Sequence, residues 1–97
     1  MNIPTSFTVG QQLVEIEYKD QRDMPTEHTL GRIMLPQGKI QISKDQTDSS
    51  KMNTFVHECI HAALDTAGYS DLSSDETFVC TMAAMFLEII NTSKYGD

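Results

Sequence analysis

Two cysteines, Cys59 and Cys80, in a chain of 97 residues are too few for the disulfide framework that a secreted chain this short would often carry. The first residues, Met1-Asn2-Ile3-Pro4-Thr5, hold neither the basic start nor the apolar run of a signal peptide. Long hydrophobic runs are missing as well. The longest, near Met82 to Ile90, is too short to span a bilayer and is interrupted by Glu88. Basic residues are scarce: 7 Lys and Arg stand against 14 Asp and Glu, a formal net charge of -7. They are scattered, so no cationic patch offers a footprint for a phosphate backbone. These absences predict a cytoplasmic protein with free thiols and with neither nucleic acid nor membrane as a partner. No internal repeat or low-complexity tract is present.

Hydrophobic residues at 39% and charged residues at 22% are those of an ordinary globular chain, and the length fits a single domain over residues 1–97. Phe7 and Val9 lead into Gly10-Gln11, a turn. Val14, Ile16 and Tyr18 then alternate with Glu15 and Glu17, the period of a half-buried strand. Lys19 to His28 is polar, contains Pro25 and reads as a loop. Leu30 to Leu35, Pro36-Gln37-Gly38 and Lys39 to Ser43 read as a hairpin closed by a turn with a glycine bulge.

The second half has helical spacing. Met52, Phe55, Val56, Ile60, Ala63, Leu64 and Ala67 recur between the cap candidates Asp48-Ser49-Ser50 and the stop at Gly68. A second helix is expected from about Ser73 or Ser74 to Asn91, with Phe78, Val79, Met82, Met85, Phe86, Ile89 and Ile90 deeply buried and Cys80 in the core. The expected fold is α+β: a small antiparallel sheet of three or four strands, followed by two packed helices.

The first helix carries His57-Glu58-Cys59-Ile60-His61. Residues four apart on a helix lie on one side, one turn apart. Two neutral imidazoles so placed can share one Zn²⁺. Glu58 sits about 100° around from His57, too far for an ideal ligand but suited to take a proton from a water beside the metal. Counting about 100° per residue, His57, His61, Asp65 and Glu58 occupy one arc of the helix. Met52, Phe55, Val56, Cys59, Ile60, Ala63 and Ala67 occupy another, so Cys59 points away from the histidines.

A catalytic zinc takes three protein ligands and leaves a position for water. No histidine follows His61, which excludes the extended three-histidine pattern and leaves a carboxylate. Glu76 opens the second helix and is the first candidate, with Asp75 and Glu88 as alternatives. A competing role for Glu76 is a capping box in Ser73-Ser74-Asp75-Glu76. Asp65 is a candidate orienter of a histidine, and His28 and Tyr69 are candidate stabilisers of an oxyanion. For each of these three an ordinary surface or packing role competes.

Together these residues resemble the ImmA/IrrE-like metallopeptidases, especially the short stand-alone versions of phages and prophages. The resemblance covers most of the chain: the early strands, the hairpin ending Lys39-Ile40-Gln41-Ile42-Ser43-Lys44-Asp45, the segment Thr54 to Asp65, and the helix start Asp75-Glu76-Thr77-Phe78-Val79. It implies a minimal zincin-like domain with zinc held by His57, His61 and Glu76, and with Glu58 as the catalytic base. It also implies a peptide or protein substrate laid along a sheet edge. The chain departs from many relatives by following the ligand Glu with Thr77-Phe78 rather than Ala-Asn. The alternative expectation is a non-catalytic module of a phage or mobile element, in which zinc staples a small core. Glu58 argues for catalysis, because a structural site has no need of a carboxylate beside its first histidine.

Overall fold

A computed structural model describes residues 2–96. Strands β1 (Ser6–Val9) and β2 (Gln12–Lys19) form an antiparallel hairpin. Gly10 and Gln11 join them with φ of 54° and 67°, the left-handed pair whose twist matches a two-residue hairpin. Strands β3 (Gly31–Met34) and β4 (Lys39–Ser43) form the second hairpin. A 3-10 turn over Leu35–Gln37 closes it, and Gly38 exits at φ 65°.

The sheet is mixed, which corrects the antiparallel expectation. Its order is β1-β2-β4-β3, and β2 runs parallel to β4. The reason lies in burial. β4 carries Ile40 and Ile42, both fully buried, and takes the interior position, leaving β3 at the edge. The polar segment 20–30 therefore steps past the end of β4, and the hairpin brings β4 back beside β2. No crossover helix is needed, because the parallel strands are not consecutive.

One sheet face is the core. Val14, Ile40 and Ile42 are fully buried there, with Phe7, Val9, Ile16 and Ile33 around them. The other face carries a polar chain. Glu17 pairs with Lys19 at 3.1 Å and Lys39 at 3.2 Å, which holds its carboxyl below the usual range. Gln41 Nε2 donates to Glu17 at 3.2 Å, and Arg32 Nε donates to Gln41 Oε1 at 2.7 Å. The sheet is thus covered on one side only, the pattern of a two-layer α+β domain.

Helix α1 (Asp48–Thr66) covers the apolar face, with Phe55 packed edge-on to Phe7. Its cap is Thr47, whose Oγ1 accepts from the Ser50 N–H at 3.2 Å, one residue before the expected candidates. It ends at Gly68, where the Tyr69 N–H donates to Leu64 O at 2.8 Å and the Gly68 N–H to Asp65 O at 3.2 Å. This is the Schellman pattern, and it turns the chain into the short α2 (Ser70–Ser73).

Helix α3 (Glu76–Thr92) packs on α1, but it is not deeply buried as its sequence suggests. Val79 and Ala83 are buried, while Met85, Phe86 and Ile89 are exposed. A helix with one neighbouring helix buries one stripe, whatever the rest of its surface carries. Cys80 lies next to that stripe and is exposed, not in the core. Among the described residues, no helix is long and apolar enough to cross a membrane.

The hairpin turn yields a stability test. A Cβ at Gly38 would lie 2.7 Å from Leu13 O, a backbone atom that cannot swing away. Gly38→Ala is expected to lower unfolding free energy by more than the ~1–2 kcal/mol of the left-handed conformation alone. Urea unfolding measures it; an unchanged midpoint would contradict this packing.

Candidate metal centre

α1 projects His57 and His61 from one side, as the four-residue spacing requires. Their Nε2 atoms lie 3.2 Å apart. The first residue of α3, Glu76, meets both: Oε2 is 3.2 Å from His57 Nε2 and Oε1 is 3.0 Å from His61 Nε2. One donor atom from each of the three residues falls within 4.8 Å of the others. Glu76 remains largely exposed on its outer side, so the cluster faces solvent.

The local reason is the cap of α3. Asp75 Oδ1 accepts from the Phe78 N–H at 3.1 Å, so Asp75 is the N-cap and its carboxylate is engaged. Glu76 becomes the first helical residue, and its side chain reaches back to α1 rather than closing a capping box. Glu88 lies three turns further along α3, outside the cluster. The spacing suits a small tetrahedral cation. Bonds of about 2.0–2.1 Å place neighbouring ligand atoms about 3.3–3.4 Å apart. The nitrogens are 3.2 Å apart, each lies 3.0–3.2 Å from a different Glu76 oxygen, and one ligand atom from each residue lies within 4.8 Å of the others, so a small adjustment brings them to that geometry.

Glu58 is 7% exposed, buried beneath the edge strand rather than on an open polar face. A Cβ at Gly31 would lie 3.7 Å from Glu58 Cγ and would collide with Thr54 Cγ2, so the bare glycine lets α1 approach β3 closely. Burial, reinforced by the charge of Glu76, pushes the Glu58 carboxyl up to about 7; the Ile33 backbone acts in the opposite sense. A nearby cation would lower it again. Burial also holds His57 below its ordinary value, with His61 adding to the effect and Glu76 opposing it. Neutral imidazole is the form that ligates metal.

Beside Glu58 and His57 opens a cavity of about 330 Å³, lined also by His28, Thr29, Gly31, Asn53 and Thr54. One wall runs from His28 to Gly31, the first residue of the edge strand β3. The Ser43 N–H donates to Leu30 O at 2.8 Å, which fixes Leu30–Ser43 as a hydrogen-bonded pair. By the antiparallel alternation Arg32 also faces β4, whereas Gly31 and Ile33 turn their N–H and C=O groups away from it, the Ile33 N–H toward the Glu58 carboxyl and the others to the free edge.

Three contributors escaped the sequence reading. Gln46 ties the edge to the helix: its Nε2 donates to Leu30 O at 3.1 Å and Ser43 O at 2.8 Å, and its Oε1 accepts from Ser50 Oγ at 2.6 Å and Thr54 Oγ1 at 3.0 Å. Ser73 Oγ lies 3.0 Å from His61 Nδ1, and Cys80 Sγ lies 3.8 Å from His57 Nδ1. No local pattern marks these residues, because each acts through the tertiary placement of another element. Asp65 and Tyr69 are exposed and outside the cluster, while His28 is exposed beside Glu27, on the cavity wall.

The two thiols differ in a way alkylation can read. Burial pushes Cys59 up to about 12, whereas Cys80 is exposed. Iodoacetamide on the folded protein is expected to label Cys80 and spare Cys59, as read by peptide mass mapping; equal labelling would contradict the placement of α3. Compared with known proteins, the chain matches no family model, no curated protein and no solved structure.

Proposed function

We propose that this chain is a zinc-dependent peptidase, with His57, His61 and Glu76 as the metal ligands and Glu58 as the general base. The observation that carries the reading is the meeting of two imidazole nitrogens and one carboxylate, with a second, buried carboxyl beside them. When bound there, Zn²⁺ supplies a Lewis acid that polarises a peptide carbonyl and acidifies a water molecule.

The chain's own residues do the rest. Glu58 accepts the proton of the attacking water and returns it to the departing amine. Its burial under β3 fixes it on one side of the cluster. The outward Gly31 N–H and the outward C=O groups of Gly31 and Ile33 bind an extended peptide as an added strand, which holds the scissile bond over the ligands. The cavity walled by Thr29, Asn53 and Thr54 receives a side chain of that peptide.

The alternative, a zinc-stapled module without catalysis, also draws on the link from α1 to α3. Glu58 separates the two, since neither helix needs it for holding metal. Elemental analysis is expected to find one zinc per wild-type chain and a loss of zinc in His57→Ala. Glu58→Gln is expected to keep its zinc and lose about 10²–10⁴-fold in hydrolysis of denatured casein. Equal metal in wild type and His57→Ala would remove the site. Full activity in Glu58→Gln would remove its role as base, and zinc without hydrolysis in wild type would favour the stapled module.

A further inference from the structure

The zinc reading leaves open what holds the histidine rings in place. Ser73 closes α2, is 7% exposed, and sets its Oγ 3.0 Å from His61 Nδ1. The opposite nitrogen of the same ring, Nε2, lies 3.0 Å from Glu76 and 3.2 Å from His57 Nε2. An imidazole that offers Nε2 to a cation carries its proton on Nδ1, and that N–H needs an acceptor when it is enclosed. Ser73 is the residue that meets His61 Nδ1.

We propose that Ser73 is a positioning residue of the metal site. Its hydroxyl accepts the His61 Nδ1–H, holds the ring in that tautomer and aims Nε2 at the point shared with His57 and Glu76. The inference rests on the zinc reading above. A hydroxyl performs this task without placing a third carboxylate beside Glu58 and Glu76, where like charges would repel. Ser73 is itself fixed, because its N–H donates to Tyr69 O at 3.0 Å within the turn of α2. The short helix thereby gains a role: the stop at Gly68 folds the chain back so that a serine twelve residues after His61 supports its ring.

The two rings are held unequally. Among the described residues His57 Nδ1 meets the thiol of Cys80, a weaker acceptor, at 3.8 Å and on the exposed side. Removing the Ser73 hydroxyl is therefore expected to matter more than removing the Cys80 thiol.

The test is a chelator-competition titration with zinc alone on wild type, Ser73→Ala, Ser73→Thr and Cys80→Ala, paired with long-range ¹H–¹⁵N spectra of the zinc-loaded imidazoles. Ser73→Ala is expected to weaken zinc binding about 10–100-fold. Ser73→Thr is expected to restore much of that affinity, and Cys80→Ala to lose less than Ser73→Ala. His61 is expected to be protonated on Nδ1, with that proton slow to exchange in wild type and fast in Ser73→Ala. Wild-type affinity in Ser73→Ala overturns the inference while leaving the zinc site standing. Equal losses in the Ala and Thr variants overturn it too, since fit rather than the hydroxyl would then be responsible. A wild-type protein that binds no zinc overturns both this inference and the peptidase reading.

Discussion

One turn of α1 faces the first residue of α3, and every other feature of the site is arranged around that contact. His57 and His61 place their Nε2 atoms 3.2 Å apart, and Glu76 closes the triangle. Two imidazole lone pairs and a carboxylate have little reason to gather so closely unless protons or a cation lie between them. The four-residue spacing in α1 supplies half of the geometry. The cap at Asp75 supplies the other half, because it makes Glu76 the first helical residue and leaves its carboxylate free.

The sheet serves the site through its edge. β4 occupies the interior because Ile40 and Ile42 must be buried, and this displaces β3 to the rim beside α1. Gly31, lacking a side chain, allows β3 to close over Glu58 of the helix. Gln46 then bonds to Leu30 just before the edge strand, to the end of β4 and to the first turns of α1 at once. The result is a buried carboxyl, a cavity and a free strand edge within one corner of a small domain. In the proposed peptidase these are the base, a side-chain pocket and the track for the substrate backbone.

Much of this was legible in the sequence. The hairpins at Gly10-Gln11 and Pro36-Gln37-Gly38 follow from local turn chemistry, and the amphipathic period of α1 places the two histidines together. What local patterns do not carry is which strand lies between which. The parallel pairing of β2 with β4 depends on relative burial, a property of the whole sheet. The apolar content of α3 suggests deep burial, yet its exposure is decided by how many neighbours it has, and this brings Cys80 to the surface. Glu58 counts as polar on a helical wheel and is nevertheless covered, because β3 leans over it. Ser73 resembles a capping residue, whereas the turn at Gly68 delivers it to His61.

The sharing of one cation by His57, His61 and Glu76 is tested most directly by X-ray absorption at the zinc edge of the zinc-loaded protein. The expected spectrum has two imidazole nitrogens and oxygen neighbours at about 2.0–2.1 Å, with no sulfur. A sulfur neighbour at about 2.3 Å, or zinc surrounded by water oxygens without imidazole, would contradict it.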